Sequence, residues 1–442
     1  MIANGVAFSN KWADWRELVR IRPVHDYVAE FMELSKPVGY EPNDDARQEY
    51  DKALQLAVES TKEIKDFYQR YPTHWSDQER TQVEAWLVSN AEALKFFEKG
   101  SRKPCYWPEY KPERKQSVVL SSADGKGMMC LSIALATRAL VSAAQDRLGE
   151  AMDDIATCYR VGRHLLQCRD TMSQVMGMSV YGLASQTTRM ILSHEDVSPE
   201  LMTALQERLE KLAAEQPIRF DFLAEQLFPL DTIQSLFTDD GHGGGHIPRC
   251  FFTSPESQRD GLEYLLSDMA EATDADIGEW RKLDRHSTTD DVRQYYRALE
   301  EATSLAPWDY EKNTADVKNA VEQIRKNSFI RLLCSVNPML RHLSAKARAD
   351  LDSVIAILAM LRYKADRHKF PENVELLAGE GYLKTIARDP FSSGALIYKR
   401  TTDNFLLYSW GVDFDDDGGM PSTWGEGEQG GDQVLWPVSD AE

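Results

Sequence analysis

Asp413-Phe-Asp415-Asp416-Asp417-Gly418 carries the most legible chemistry in this chain: it is a D-x-D-x-D-G run, the first half of an EF-hand-like loop. Carboxylates two residues apart converge when the backbone curls round an ion, and Gly418 permits the sharp turn. The second half departs from that pattern. Its twelfth position is Trp424 rather than Glu, which leaves Glu426, Glu428 and Asp432 to close the shell. Nine acids and no Lys or Arg lie between Asp413 and Glu442, a crowding that costs free energy unless a cation neutralises it. A hard divalent ion with about six to eight oxygen ligands answers that cost, calcium before magnesium. Calcium is therefore the expected cofactor, with Asp413, Asp415, Asp416, Asp417 and Asp432 as its expected ligands. The competing reading is a solvated acidic tail. Trp410, Trp424 and Trp436 argue against it, because disordered tails seldom carry large aromatics.

A second constellation lies mid-chain. Residues 218–238 read as a helix on which Asp221 and Glu225, one turn apart, share a face. The Gly-rich loop that follows brings His242 and His246 beside Asp239 and Asp240. Carboxylates and imidazoles together suit zinc, manganese or iron, so this set is the alternative metal site. Against it stands a loop tip of solvated polar residues, since four glycines leave the ligands unfixed. The six cysteines include no CxxC pair. Cys130 and Cys168 sit at matching distances either side of a turn near Gly149, so a disulfide between them competes with two buried free thiols. His164 and His194 read as structural.

The elements that must hold these residues are mostly helices. Hydrophobic residues at 42% and charged residues at 28% describe a folded globular chain, and 442 residues suggest two or three domains. A net charge of −20 and the lack of a basic aromatic stripe argue against nucleic acid as a partner. The apolar runs read as shorter than the roughly 18 residues that cross a bilayer. The opening MIANGVAFSNKWADW lacks the features of a signal peptide. The expected compartment is the cytoplasm, or the envelope or periplasm if an anchor precedes the residues shown.

Residues 1–115 read as a helical region, with helices over 44–68 and 76–100, the latter opened by a Ser76–Glu79 capping box. The three prolines of KPCYWPEYKP exclude helix there. Residues 116–336 read as a helical-hairpin domain with helices over 128–145, 151–167 and 172–192, one opening at Pro199, and more from 256 to 327. DRLGEAMDDIATCYRVGRHL resembles a tetratricopeptide-type hairpin, with Gly149 ending one helix, but no second copy marks a repeat array. Residues 337–442 read as a long helix from Asn337-Pro338 to Lys369, striped by Leu340, Leu343, Ala347, Leu351, Val354, Ile355, Leu358 and Leu361. An antiparallel hairpin over 395–399 and 404–410 follows. The fold class is thus mostly α, ending in a small α+β unit.

The last part resembles the soluble portion of the major pseudopilin of type II secretion systems. Tyr363, Phe370, Pro371, Gly381, Tyr382, Leu383, Asp389, Pro390, Phe391, Ser409, Gly411 and Asp413 carry the resemblance over about 90 residues. The whole chain is similar to a family of bacterial proteins, common in planctomycetes, that join helical domains to such a tail. The resemblance implies a pseudopilin-like fold, a calcium ion and an envelope association. It implies no activity, and the chain holds no nucleophile elbow, P-loop, HExxH or dinucleotide fingerprint. The leading expectation is a non-enzymatic scaffold with structural calcium. The alternatives are a metal-dependent enzyme at the mid-chain set and an adaptor that binds a partner protein through residues 127–215.

Overall fold

The computed structural model describes residues 25–61, 64, 67–112, 120–122, 125–215, 217–248, 273–313, 315–334, 339–422 and 430–438. Cys250, the stretch 256–272, Asn337-Pro338, Trp424, Glu426 and Glu428 lie outside them. The described chain is mostly helical, with a two-stranded ribbon near its start and a three-stranded antiparallel sheet near its end.

Helices α1 (Tyr27–Ser35), α2 (Arg47–Leu56), α3 (Asp77–Ser89) and α4 (Ala91–Ser101) form the first layer. The capping box is present: Ser76 N–H donates to Glu79 Oε2 at 2.7 Å and Glu79 N–H to Ser76 Oγ at 3.3 Å. The helix expected over 76–100 is two helices, broken at Asn90. That buried amide donates to Val58 O and Trp86 O at 3.1 Å each and accepts from Val58 N–H at 2.9 Å. Such a side chain satisfies a loop's backbone groups at the expense of helix continuity. The helix expected over 44–68 likewise stops at Leu56. The Pro-rich strap is not helical; it buries Tyr106 and Tyr110 and enters the ribbon, β1 (Tyr110–Pro112) with β2 (Leu120–Ser122).

The centre is α5 (Gly125–Ala144), α6 (Leu148–Gln167), α7 (Thr171–His194) and α8 (Pro199–Glu215), each packed on its neighbours. Gly149 does not turn the chain, since it lies inside the first turn of α6 with open space around it. Asp146 does so, at φ 59, a left-handed conformation that Asp tolerates better than most residues. Glycine matters where α6 and α7 cross. A Cβ on Gly177 would sit 2.8 Å from Gly162 O, so the two backbones touch. Helix α5 is long and apolar enough to cross a membrane, with mean hydropathy 1.6, which corrects the reading of the apolar runs. It is 78% buried inside the bundle, and that packing accounts for its composition.

The Cys130–Cys168 disulfide does not form. Both thiols are free and buried, and they point to different backbone carbonyls, Val58 at 3.7 Å and His164 at 3.5 Å. His164 is fully buried, accepts from Tyr50 O–H on Nδ1 at 2.8 Å and donates from Nε2 to Lys103 O at 3.0 Å. Desolvation pushes its pKa down to about 3, so it is a neutral core residue, as its structural reading requires.

Beyond them come α9 (Leu227–Leu236), α10 (Asp274–Trp280), α11 (Arg285–Ser304), α12 (Pro307–Asn313), α13 (Ala315–Arg325) and α14 (Ser328–Leu333). Helix α15 (Leu340–Arg367) then runs through the structure, followed by α16 (Val374–Gly379). Strands β3 (Ile397–Arg400), β4 (Phe405–Ser409) and β5 (Gln433–Trp436) close the chain, with β4 in the middle. One continuous apolar core extends from Phe31 to Trp436. The stripe expected on α15 is buried from Ala347 to Leu358 and half-buried at Leu340, Leu343 and Leu361, while Ala349, Ile357 and Met360 on its other sides are buried too. The reason is that α7, α8, α11 and β5 all pack on it.

That burial takes Asp350, 1% exposed, into the interior. It accepts from Arg189 of α7 at 3.1 Å, from Lys346 at 2.9 Å and from Gln433 Nε2 of β5 at 3.4 Å. An unpaired buried charge is among the costliest defects a core can hold. Asp350→Ala is expected to lower unfolding free energy by about 3–5 kcal/mol by stranding Arg189. Lys346→Ala, which removes the more exposed partner, is expected to cost under about 1 kcal/mol. Denaturant titration of both variants checks the ratio, and equal losses would count against this arrangement.

Candidate metal centre

The acidic loop connects β4 to β5, and its shape comes from left-handed residues. Gly411 (φ 80), Phe414 (φ 61), Gly418 (φ 77), Gly419 (φ 96) and Gly431 (φ 102) bend the backbone back on itself. The bend brings Asp432 beside Met420 and Ser422, with Asp432 N–H on Met420 O at 2.7 Å and Ser422 N–H on Asp432 O at 3.0 Å.

Each carboxylate has a backbone donor. Asp413 accepts from Asp415 N–H at 3.4 Å and Asp415 from Asp416 N–H at 3.0 Å. Asp416 accepts from Tyr408 O–H at 2.8 Å and Gly418 N–H at 3.0 Å. Asp417 accepts from Gly431 N–H at 2.9 Å. Asp432 differs from the rest: it is fully buried, its Oδ2 accepts from Gly419 N–H at 2.6 Å, and its Oδ1 has no hydrogen-bond partner among the described residues. Desolvation raises its pKa; the Gly419 and Asp417 backbone amides oppose the rise, and the Asp416 and Asp417 charges add to it.

The base of the loop is fixed by a residue that carried no ligand role in the sequence. Asp389 is fully buried and accepts from Ser409 O–H at 2.6 Å, Trp410 N–H at 3.1 Å and Phe391 N–H at 3.0 Å. Its neighbours in the Asp-Pro-Phe phrase were the only signal for it. Trp308 of α12 meets Trp410 edge-on at 5.6 Å and Phe414 at 6.4 Å, and His342 of α15 meets Phe414 at 6.2 Å. Nothing in the local sequence pairs these aromatics, because they come from three distant segments.

The donor set is all oxygen, which suits a hard cation, and the buried Asp432 Oδ1 is the polar atom such an ion would satisfy. Among the described residues no three His, Cys, Asp or Glu side chains are arranged to hold a metal as they stand. Asp415, Asp416 and Asp417 are exposed, so rotation about their side-chain bonds is free to turn them inward.

The mid-chain set is not brought together. The helix expected over 218–238 begins at Leu227, so Asp221 and Glu225 share no helical face. Asp221 pairs with Arg169, and Glu225 accepts from Thr171 N–H at 3.0 Å at the start of α7. His242 and His246 are exposed in the glycine loop. There Asp240 accepts from His242 N–H at 2.7 Å, and Asp239 pairs with Arg285 at 3.2 Å. Prolines at 217 and 229 and the side-chain amide of Gln174, which bonds Asp221 N–H and O, explain the lost turns.

Comparison with protein-family models, with curated proteins and with solved structures gives no match. The residues and their geometry therefore carry the functional argument.

Glu225 has a measurable signature. Desolvation pushes its pKa up to about 7, against the Thr171 amide and hydroxyl that favour the anion. Its folded pKa lies above the unfolded value, so its contribution is fully present below about 4.5 and lost as pH rises through 7. Glu225→Gln is expected to match the wild type at pH 5 and to be more stable by about 1–3 kcal/mol at pH 8. Melting curves at the two pH values check the sign.

Proposed function

We propose that this protein is a non-enzymatic helical scaffold whose C-terminal unit is pseudopilin-like and is tied shut by a structural calcium ion. The observation that carries the reading is Asp432. A fully buried carboxylate with one oxygen unpartnered among the described residues, next to Asp416 and Asp417, is an arrangement a divalent cation stabilises. Asp413, Asp415, Asp416, Asp417 and Asp432 would supply the oxygens, and the ion would do no chemistry beyond neutralising them. Support also comes from the order of elements: a long helix, a strand pair, the acidic loop, then a strand that the loop returns to the sheet. A tetratricopeptide-like hairpin at α5–α6 and work at the cell envelope, where calcium is plentiful, complete the proposal. The adaptor alternative needs a surface other than the sides of α7 and α8 that α15 covers.

Calcium is expected to raise the melting temperature and to change Trp fluorescence, since Trp308 and Trp410 flank the loop. Saturation at about 100 times Kd corresponds to about 2.7 kcal/mol. Asp413→Ala combined with Asp417→Ala is expected to remove both responses. A wild-type protein that ignores millimolar calcium would sink the proposal.

A further inference from the structure

A cleft of about 410 Å³ lies where the segment after α8, the end of α11, α12, α15 and the segment before β3 meet. Four arginines line it, Arg219, Arg341, Arg348 and Arg388, against one acid, Asp309. In a chain with 71 acidic and 51 basic residues, that wall runs against the composition. The four come from three distant segments, so the fold gathers them and no charge run in the sequence does.

Among the described residues three of the four have a carboxylate partner. Arg341 is 6% exposed, lies 3.9 Å over the Tyr310 ring and pairs with Glu311 at 3.2 Å. The ring and the carboxylate hold its guanidinium in place. Glu311 is also shared with Lys318, at 2.5 Å, which dilutes its neutralising effect. Arg388 meets Asp309 at 3.0 Å, whereas Arg348 reaches Asp352 only at 3.7 Å. Arg219 is exposed and has no ion pair among the described residues. Arg341 and Arg348 are two turns apart on α15 and so share a face. Pro217, Pro307 and Pro390 contribute rigid apolar rim between the charges.

We propose that this cleft binds a small organic oxyanion carrying two or more negative charges, of the phosphomonoester or polycarboxylate kind. Guanidinium forks match the paired oxygens of either group, and a partly dry wall strengthens the attraction. The cleft volume exceeds that of a bare phosphate and leaves room for an apolar body against the prolines. Because Arg388 belongs to the segment that leads into the sheet and Arg219 to the helical body, one bound anion would bridge the two.

Isothermal titration with inorganic pyrophosphate and with citrate tests this at fixed ionic strength and distinguishes the phosphate from the carboxylate source. Both probes chelate calcium, so the protein is first stripped with EDTA, and Asp413→Ala/Asp417→Ala is titrated alongside. That variant is expected to bind the anion as the wild type does, which separates this site from the acidic loop. At least one probe is expected to bind one-to-one, more weakly as salt rises. Arg219→Ala, which breaks no ion pair, is expected to weaken it roughly tenfold or more. Arg388→Ala, which breaks one exposed pair, is expected to do the same without lowering the melting temperature appreciably. No binding of either probe at millimolar concentration, or equal binding by both variants and the wild type, overturns the proposal.

Discussion

A carboxylate cannot be left alone in a protein interior, and the architecture follows from how this chain keeps Asp350 company. Helix α15 buries apolar residues beyond its expected stripe because α7, α8, α11, α12, α16 and β5 pack on it. Any acid placed on such a helix must find cations within the core. Arg189 comes from α7, two layers earlier in the chain, and Gln433 from the final strand. The same contact therefore fixes the rotation of α15 against the bundle and the position of the sheet against α15.

The C-terminal unit repeats the problem and solves it in two different ways. Asp389 and Asp432 are both fully buried. Asp389 receives three donors, two of them backbone amides, and needs nothing further. Asp432 has one short hydrogen bond, from Gly419 N–H to Oδ2, and none to Oδ1 among the described residues. Burial is equal and satisfaction is not, and that imbalance is what the proposed cation would relieve. The arginine cleft shows the opposite imbalance, with four lining arginines against one lining acid.

Much of this was legible where one signal acted alone. The 3.6-residue stripe from Leu340 to Leu361 gave α15 its length, and Ser76–Glu79 marked a helix start, because periodicity and caps are local. The hairpin of β3 and β4 was legible from its aromatics. Strand β5 was not: four residues behind a Gly-Gly step are too short to announce a partner 24 residues back across the loop. Asn90 and the 218–226 segment were misread for a shared reason. In each, a side chain or backbone group bonded to a distant segment overrides local preference: Asn90 to Val58, and Gln174 to Asp221. The acidic loop showed its composition plainly, while burial decided which acid matters. Asp432 stands apart from Asp413 or Asp415 only because Met420 and Ser422 fold over it. No spacing rule joins Arg219, Arg341 and Arg388.

Strand β5 has a consequence for how the molecule is made. Gln433 lies 83 residues after Asp350. The central helix therefore gains this polar contact, and the sheet its outer strand, only after the whole stretch between them has been made. Until then the side of α15 on which β5 packs stays uncovered. A chain cut short before Gln433 keeps it so.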